Sequence, residues 1–511
     1  MTDCVVGIDL GTSLVKAGVY TIEGALLGSA SVPLAMHQGA GGRVEQSMTD
    51  FSRAAAVATR RSLDHADVDT HRITALAVAG QMAGVGLVDR RHRPVAPFDS
   101  WLDTRCAPVV DELSATYGDR IVAGSGCPPT ISIGPKMVWW HRAEPTVCDH
   151  AAAFVTAGGY VAGDAAGLAG DAAFIDPTYL HFTSVAAVAE DAWDIELVAE
   201  LGLEPELLPT IVPSTQVVGE LTRRAAERYG LPAGIPIAAG CGDTAASALG
   251  SAVTQPGAGF DIAGTAAVLG VCQPVFAPDT LNRTLMVMRA ALPGLYYSLA
   301  YVAGAGQVIE WLCREFFGDS NSAGEAYEKL AAAAAEAGAG SGGVTALPHF
   351  TGRVAPAAPA DRGALVGITP TSTRGDLARA VLESIAYEYR GYAELVGKLT
   401  PDVVLKGVTG MGGGSRSALW NQIKADVLGV QYRPLVNVDA GTRGAAVLAL
   451  IATGRNGPEI GSDAYGHAAA PDASTATAYD GGYERYRFWS SALTRAYRKP
   501  DPSPETITGG D

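Results

Sequence analysis

The start of the chain alternates short apolar runs with turn residues, which is the pattern of a β-meander. Apolar residues fill positions 5–10, the residues at 14–20 favour β structure, and a third run follows a Glu-Gly turn at 25–33. Runs of this length between glycine-containing turns are typical of paired strands. The pattern therefore predicts three strands in a meander.

Further along the chain, short apolar runs alternate with longer stretches of helical character. The stretch 375–398 is the clearest helix, because its apolar residues recur on roughly one face. The other predicted helices cover residues 51–63, 222–229, 245–250, 329–337 and 418–429, and the predicted buried strands cover 73–79, 85–89 and 235–240.

A loop at residues 254–259 divides the chain into two halves that begin alike. After it, residues 260–270 repeat the arrangement of residues 7–13, in which a strand reaches an acidic residue, then Gly-Thr. A chain of 511 residues is also too long for one compact core. We therefore predict two related α/β domains, at residues 1–254 and 255–498, followed by a tail at 499–511.

Composition restricts the classes of function. A formal charge of −16 argues against a nucleic-acid partner, since no positive field replaces counterions on phosphates. The seven cysteines are scattered and never form a C-x-x-C pair, which fits reduced thiols. No apolar run reaches the ~18–20 residues of a membrane span. A soluble cytoplasmic protein without a membrane partner is expected.

Phosphate recognition is predicted at two turns, because the chain contains no P-loop of the form G-x-x-x-x-G-K-[ST]. Backbone N–H groups of a turn can form an anion-binding concavity, to which hydroxyls add further donors. Gly11, Thr12 and Ser13 form one such turn after the first strand. Gly264 and Thr265 form the equivalent turn in the second half.

Asp9 ends the first predicted strand, directly before the first of these turns. A carboxylate at this position could hold Mg²⁺ through water beside a bound phosphate. The alternative is a side chain that only caps the end of the strand. Both interpretations stay open at the level of sequence.

A third glycine cluster, at residues 404–417, leads into the predicted helix at 418–429. A strand, glycines and a helix N-terminus in succession let a nucleotide approach the backbone closely. The cluster lacks the G-x-G-x-x-G spacing of a dinucleotide site, and no βαβαβ run follows it. The alternative is a tight turn without a ligand.

Taken in order, these segments resemble the FGGY carbohydrate kinase family, and most closely its xylulokinases. The resemblance covers roughly residues 5–497. The motifs that carry it are GIDLGTS at residues 7–13, GQM at 80–82, WLDTR at 101–105, GCGDTAA at 240–246, AGT at 263–265, GAGQ at 304–307 with Trp311, LP at 347–348 and the glycine cluster at 410–421.

This resemblance implies two ribonuclease-H-like domains of the actin-like ATPase type, each built on a mixed five-stranded sheet, which close on ATP and sugar. It also implies Asp243 as the general base, although an aspartate before a helix can equally be its N-cap. The implied nucleotide, phosphate and metal residues are Asp9, Gly11, Thr12, Ser13, Lys16, Gly264, Thr265, Gly306, Gln307, Gly412, Gly413, Ser415 and Asn421, with Asp9 and Asp243 holding Mg²⁺. The implied sugar-side residues are Gln81, Met82, Ala83, Trp101, Asp103, Arg105, Asp176 and Asp243.

One position departs from the pattern. Xylulokinases usually carry histidine after Gly-Gln-Met, where this chain has Ala83. Loss of a polar contact in a site that recognises hydroxyls can change specificity by orders of magnitude. The expected activity is therefore ATP-dependent phosphorylation of a small sugar or polyol, with a ketopentose such as D-xylulose first and ribulose, a pentitol or a tetritol as alternatives.

Several alternatives stay open. Lys16 either reaches a phosphate or points into solvent from its strand. The whole chain could instead be an actin-like ATPase without a sugar substrate, or a sugar-binding sensor that has lost its chemistry. An intact Asp243 argues against the sensor. The expected partners are ATP, Mg²⁺ and a small sugar or polyol, with a homodimer left open.

Overall fold

The computed structural model describes residues 2–318 and 322–497. The chain divides into two compact units, each assembled from separated segments. The predicted tail at 499–511 lies outside the described residues, and the predicted domain limits at 254 and 498 stay a prediction. In the described ranges no helix combines the length and apolarity needed to cross a membrane. Of the described residues, the first unit comprises 2–258, 271–299 and 436–464, and the second comprises 259–270, 300–318, 322–435 and 465–497.

The strands of the described residues are mostly short. They are β1 (Cys4–Leu10), β2 (Leu14–Thr21), β3 (Leu26–Pro33), β4 (His37–Gln38), β5 (Val44–Gln46), β6 (Ile73–Gly80), β7 (Gly86–Val88), β8 (Phe98–Asp99), β9 (Ala153–Val155), β10 (Phe174–Ile175), β11 (Ala186–Ala187), β12 (Ala192–Trp193), β13 (Thr210–Ile211), β14 (Val217–Glu220), β15 (Pro236–Gly242), β16 (Ala258–Ala263), β17 (Ala267–Gln273), β18 (Met286–Arg289), β19 (Tyr296–Val302), β20 (Thr345–Leu347), β21 (Ala364–Val366), β22 (Gly407–Met411) and β23 (Gln431–Pro434).

The helices vary from one turn to seven. They are α1 (Met48–Ala66), α2 (Ala107–Ser125), α3 (Ile133–Ala143), α4 (Pro145–Cys148), α5 (Ala157–Ala166), α6 (Ile195–Glu200), α7 (Arg223–Tyr229), α8 (Asp243–Gly250), α9 (Ala305–Phe316), α10 (Ala323–Ala337), α11 (Arg374–Leu399), α12 (Ala418–Leu428), α13 (Ala440–Ala452) and α14 (Ala476–Tyr497).

The first unit is built on a mixed sheet in the order β14-β15-β6-β1-β2-β3. The meander β1-β2-β3 is antiparallel, whereas β6 pairs with β1 in parallel and β15 pairs with β6 in parallel. The sheet has one strand more than the five expected, because the short β14 adds an antiparallel edge beside β15. β1 is central and almost entirely buried, as a strand covered on both faces must be.

Helix α13 returns from late in the sequence and packs against β1 and α8 of the first unit. Small residues permit this contact. A Cβ added at Gly7 would lie 1.9 Å from the carbonyl oxygen of Thr442, and one at Gly444 would lie 1.9 Å from that of Ala246. Because backbone cannot yield to such a clash, glycine is required at both positions. The start of α13 is thereby held beside the end of β1.

In the second unit, β17, β16, β22 and β23 lie side by side, and β22 pairs with β23 in parallel. A fully buried ion pair joins Asp261 of β16 to Lys424 of α12, and the hydroxyls of Tyr389 and Tyr432 donate to the same carboxylate. A buried ion pair is tolerated when further hydrogen bonds satisfy it, as here. The network ties α11 and α12 to the sheet.

Most of the predicted elements are present, and helix ends differ most. The predicted helix at 329–337 begins earlier, at Ala323, because the side chain of Ser322 accepts a hydrogen bond from the N–H of Glu325. The long predicted helix at 375–398 is α11, whose start is closed by a capping box between Thr373 and Asp376. The predicted meander is confirmed as β1-β2-β3.

Candidate active site

Asp9 is the last residue but one of β1, just before the half-buried turn at residues 11–13. Its Oδ1 atom is buried and has no hydrogen-bond partner among the described residues. The strand-end cap considered from sequence would have needed such a partner. Burial raises the pKa of Asp9 to about 7, and the negative charges of Asp439 and Asp243 contribute in the same direction. The carboxylate therefore belongs to an acidic group and is available to a ligand.

Asp243 is the first residue of α8, and Gly242 occupies the N-cap position. The N-cap interpretation of Asp243 is therefore wrong. The backbone N–H of Thr244 donates to its Oδ1 at 2.6 Å, and the hydroxyl of Thr244 does so at 3.2 Å. Burial raises the pKa of Asp243 to about 6, despite these hydrogen bonds. A carboxylate that titrates near neutrality is suited to accept a proton and release it again.

Sequence reasoning missed Asp439, which caps the N-terminus of α13 by accepting from the N–H of Thr442. Its Oδ2 lies 2.8 Å from Nζ of Lys16, so Lys16 neither points freely into solvent nor stands alone. Burial by itself would lower the pKa of Lys16, but the Asp439 carboxylate raises it. A Cβ added at Gly441 would lie 2.6 Å from Oδ2 of Asp9, so α13 also borders Asp9. The one available signal was an aspartate before a small-residue helix, which is no more specific than an ordinary cap.

Gln81, Met82 and Ala83 follow the end of β6, which lies beside β1 in the sheet. The N–H of Gln81 donates to the carbonyl of Leu10 at 2.8 Å, so this segment begins next to the turn after β1. Ala83 has a φ of 60°, in the left-handed region that few non-glycine residues adopt. A Cβ added at Gly242 would lie 2.7 Å from the side chain of Met82, which places Met82 against the residue before Asp243.

Trp101 is 45% exposed, and its indole N–H donates to the hydroxyl of Thr12 at 2.8 Å. The predicted sugar-side loop is therefore bonded to the predicted phosphate turn of the same unit. Sequence analysis could not have found this bond, since 89 residues separate the two side chains.

Asp103, by contrast, is buried, and it belongs to a charged cluster with Arg105, whose side chain is only 8% exposed. The Arg105 guanidinium pairs with Asp103, Asp99 and Glu45, and it lies 4.5 Å from the ring centre of Trp139. Burial raises the pKa of Asp99 to about 7, although Arg105 opposes the shift. In this structure Asp103 and Arg105, the two predicted sugar contacts, stabilise the loop that carries Trp101 through these interactions.

Asp176 is also buried, at the N-cap of a 3-10 helix, Pro177–Phe182. Its Oδ1 accepts from the hydroxyl of Thr178 at 2.6 Å, and Oγ of Thr178 in turn accepts from the N–H of Gly242 at 2.8 Å. Burial raises the pKa of Asp176 to about 7, against the effect of these donors. The residue thus braces the N-terminus of α8, one residue before Asp243.

In the second unit, Gly264 and Thr265 form an exposed bend between β16 and β17. The N–H of Gly306, in the first turn of α9, donates to the carbonyl of Thr265 at 3.0 Å. A Cβ added at Gly306 would lie 2.3 Å from the carbonyl oxygen of Gly264, so only glycine permits this approach. The predicted phosphate turn and the helix start therefore form one local assembly.

This assembly borders a cavity of about 610 Å³ within the second unit. Its volume is in the range of small-molecule sites, and its wall combines apolar and aromatic side chains with a few charged ones. Gln307 is exposed on α9 and is not among the lining residues. The cavity is lined by Ala263, Gly264, Thr265, Gly306, Ile309, Glu310, Cys313, Arg314, Phe317, Gly318, Ser322, Ala323, Ala326, Tyr327, Gly413, Gly414 and Trp420.

The glycine-rich turn after β22 contributes Gly413 and Gly414 to this wall. Gly412 has a φ of 80°, which requires glycine. Ser415 and Asn421 shape the turn from inside, because Oγ of Ser415 donates to the carbonyl of Gly412 and Nδ2 of Asn421 donates to that of Ser415. These two predicted nucleotide residues therefore hold the backbone that lines the cavity.

Comparison with known proteins identifies the chain. The N-terminal domain model of the FGGY family of carbohydrate kinases matches residues 4–250, and the C-terminal domain model matches residues 261–453. A xylulose kinase from Staphylococcus epidermidis is 26% identical over 464 residues, which are 88% of each chain. A glycerol kinase from Leptothrix cholodnii is 30% identical over 463 residues, which are 88% of this chain and 90% of that one. The crystal structure of xylulose kinase from Rhodospirillum rubrum superimposes with a TM-score of 0.87 at 26% identity, over 97% of this chain and 100% of that chain.

The fold is that of the actin-like ATPases, and the class is that of ATP-dependent phosphotransferases that act on a carbohydrate. Within that class, the chain belongs to the FGGY family of carbohydrate kinases, whose two domain models together match most of its length. The two alternatives left open from sequence, an actin-like ATPase without a sugar substrate and an inactive sensor, are therefore not supported.

Proposed function

We propose that this carbohydrate kinase transfers the terminal phosphoryl group of ATP to a hydroxyl of a ketopentose, with D-xylulose as the first candidate. Asp243 carries the proposal, because it combines a position at a helix N-terminus with a pKa of about 6. Relatives named xylulose kinase support the choice of sugar.

Asp243 would act as the general base. A sugar hydroxyl is a weak nucleophile at neutral pH, so a carboxylate within hydrogen-bond reach must accept its proton as the phosphoryl group is transferred. The N-terminal end of α8 also favours negative charge in its first turn, which helps to hold the carboxylate ionised. Asp176 and Thr178 would keep that end of α8 in place through the N–H of Gly242.

Asp9, with Asp243 beside it, fits a magnesium ion. Mg²⁺ prefers oxygen ligands and usually binds through one or two carboxylates, water and substrate phosphates. Oδ1 of Asp9 is buried without a partner among the described residues, and Asp439 and Asp243 add negative charge around it. Mg²⁺ bound here would neutralise charge on the transferring phosphoryl group. Lys16, held by Asp439, would add positive charge toward the phosphates.

ATP would occupy the cavity of the second unit. The backbone at Gly413 and Gly414 would face the adenosine, while Gly264 and Thr265 would donate to phosphate oxygens. Thr12 and Ser13, in the turn after β1, would offer hydroxyl and backbone donors of the same kind to a phosphate group. Gln81, Met82, Ala83 and Trp101 would form the sugar side, with Asp103, Arg105 and Asp176 supporting it.

A polyol kinase is the second candidate, supported by the relative named glycerol kinase and by the absence of a histidine at Ala83. The test is ADP release by the purified protein with ATP and Mg²⁺, against a panel of ketopentoses, pentitols, tetritols and glycerol. The proposal expects the highest kcat/KM on a ketopentose. A clear preference for glycerol or a tetritol would replace it with the polyol kinase.

The Gly413→Val variant should raise the KM for ATP well above its effect on the KM for sugar. A Cβ at this position meets nothing within 4 Å, so the variant should fold, and its side chain should occupy the cavity wall. Gly397→Val is the matched control, because its Cβ also meets open space and Gly397 does not line this cavity. Unchanged ATP affinity in the folded variant would return the segment to a tight turn without a ligand.

The Ala83→His variant should shift the ratio of kcat/KM values toward D-xylulose, by ~1–3 kcal/mol in activation free energy, which is the worth of a hydrogen bond to a chargeable partner. Histidine tolerates the left-handed backbone of Ala83 better than most residues. Because Ala83 lacks this contact, wild type should prefer D-xylulose over other ketopentoses by a small margin at most.

The control for this experiment is Ala83→Gly, which relieves the backbone conformation without adding a hydrogen-bonding group and should leave the preference unchanged. The kcat/KM values of all three proteins are measured on several ketopentoses. If wild type already prefers D-xylulose by a wide margin, Ala83 is a neutral variation.

A further inference from the structure

Gln46, which sequence analysis did not single out, joins the turn after β1 to the Gln81 segment. Its Nε2 donates to the carbonyl oxygen of Thr12 at 2.8 Å, and its Oε1 accepts from Nε2 of Gln81 at 2.8 Å. Gln46 is 0% exposed and Gln81 is 1% exposed, so water does not compete for these bonds. A single side chain thus contacts both the predicted phosphate turn and the predicted sugar-side segment.

The hydrogen bonds that run from Thr12 through Gln46 to Gln81 form a relay, and the carbonyl of Thr12 fixes which group donates in each bond. A glutamine amide can ordinarily be placed either way round, with oxygen and nitrogen exchanged. The carbonyl of Thr12 can only accept, so it must face the Nε2 of Gln46. Oε1 of Gln46 then faces Gln81, and Gln81 must donate to it from its own Nε2. The Oε1 atom of Gln81 is left as the outer end of the relay.

That end carries no hydrogen bond. Oε1 of Gln81 is buried and has no partner among the described residues. A sequestered acceptor without a partner is unfavourable, and such groups in native proteins call for a specific explanation. We take the missing partner to be a group of the sugar, since Gln81 precedes Met82, whose side chain lies against Gly242.

We propose that Gln46 is a positioning residue. It holds the Gln81 amide with only its oxygen facing the sugar, so that the site selects a sugar hydroxyl that donates a hydrogen bond. This inference rests on the proposed function and extends it to specificity. A carbonyl, an ether oxygen or a fluorine at the same position of the ligand cannot donate. The site would thereby discriminate a hydroxyl from a group that cannot donate at one position of the sugar.

The other residues of β5 contact the loop that carries Trp101, so the whole strand supports the predicted sugar side. The N–H of Val44 donates to Oδ2 of Asp103 at 2.8 Å, and the carbonyl of Val44 accepts from the N–H of Ser100 at 3.0 Å. Glu45 pairs with Arg105 at 2.9 Å. Every residue of this three-residue strand therefore touches either the loop of Trp101 or the relay.

The test is a double-mutant cycle on the full-length protein, with Gln46→Met, Gln81→Met and the double variant. The sugar KM of Gln46→Met should rise ~5- to 10-fold, as expected for one lost hydrogen bond. Its kcat and its KM for ATP should change much less. If Gln46 acts through Gln81, adding Gln46→Met to Gln81→Met should raise the sugar KM no further. Additive effects, or an unchanged sugar KM in folded Gln46→Met, would overturn the relay.

Two further measurements separate positioning from a general loss of packing. Gln273→Met replaces another fully buried glutamine, outside both predicted motifs, and its sugar KM should stay that of wild type. Deoxyfluoro analogues, each with one hydroxyl replaced by fluorine, should include one whose KM is raised ~10-fold in wild type and far less in Gln46→Met. The absence of any such position would contradict the proposal. If wild type instead phosphorylates a polyol and no ketopentose, the proposed substrate fails and the same cycle is run on that polyol.

Discussion

The Asp243→Ala variant should lose nearly all sugar phosphorylation while it still binds ATP. The substitution removes the carboxylate that would accept the hydroxyl proton, and general-base contributions are ~10²–10⁴-fold. The phosphate turn at Gly264 and the cavity of the second unit are untouched by it. We therefore expect kcat to fall by at least ~10²-fold with little change in ATP affinity, measured by ADP release and by calorimetric titration.

The pH profile of wild type gives an independent check on the same residue. Asp243 must be ionised to act as a base, and its pKa is about 6. The kcat/KM for sugar should therefore fall as the pH drops below about 6 and level off above it. An Asp111→Ala control, on the exposed side of α2, should retain wild-type kcat. An Asp243→Ala protein with more than about a tenth of wild-type kcat would rule out the assignment.

The Asp9→Asn variant should combine a large loss of activity with a gain in stability. If Asp9 holds Mg²⁺, losing its charge should cost ~10²-fold or more in kcat, because metal-ion stabilisation of the transferring phosphoryl group is worth several kcal/mol. Folding raises the pKa of Asp9 from 3.8 to about 7, so its ionised form is disfavoured in the folded protein at neutral pH. Asparagine removes that cost.

The sign of the stability effect can be tested by pH. Below the ordinary pKa near 4, Asp9 is neutral in both states and should cost nothing. As the pH rises toward about 7, the penalty grows and then levels off. The Tm of Asp9→Asn should therefore exceed that of wild type by a few degrees at pH 8 and match it at pH 4, without metal or nucleotide. A lower Tm at pH 8 would show that Asp9 is already satisfied within the fold.

Much of the local structure could be predicted from sequence because it depends on neighbouring residues. The meander follows from apolar runs separated by turns, and α11 follows from an apolar face of sufficient length. The turns at Gly11 and Gly264 were also visible locally, as was the resemblance to the FGGY family. The roles assigned to individual site residues stay predictions until variants are measured.

The partners of these residues were not visible in the same way. The cap signal at Asp439 cannot reveal that its other oxygen binds Lys16, 423 residues earlier in the chain. Arg105 was predicted from the resemblance to lie on the sugar side, and nothing in its local sequence shows that three carboxylates surround it. Whether a charged side chain is free or paired depends on what folding brings next to it, and that information is spread over distant segments.

The sequence by itself determined the family and the strands and turns that begin each half. It also pointed to the aspartates at positions 9 and 243 as candidate site residues, since all of these features lie within short contiguous motifs. Only the tertiary structure decided that Val436–Ala464 packs with the first unit, that Asp439 joins the acidic group around Asp9, and that Gln46 links Thr12 to Gln81. The physical reason is that hydrogen bonds and Coulombic forces depend on the distance between groups in space. Sequence distance is irrelevant to them, and only the packing of β1 between β2, β6 and α13 makes these residues neighbours.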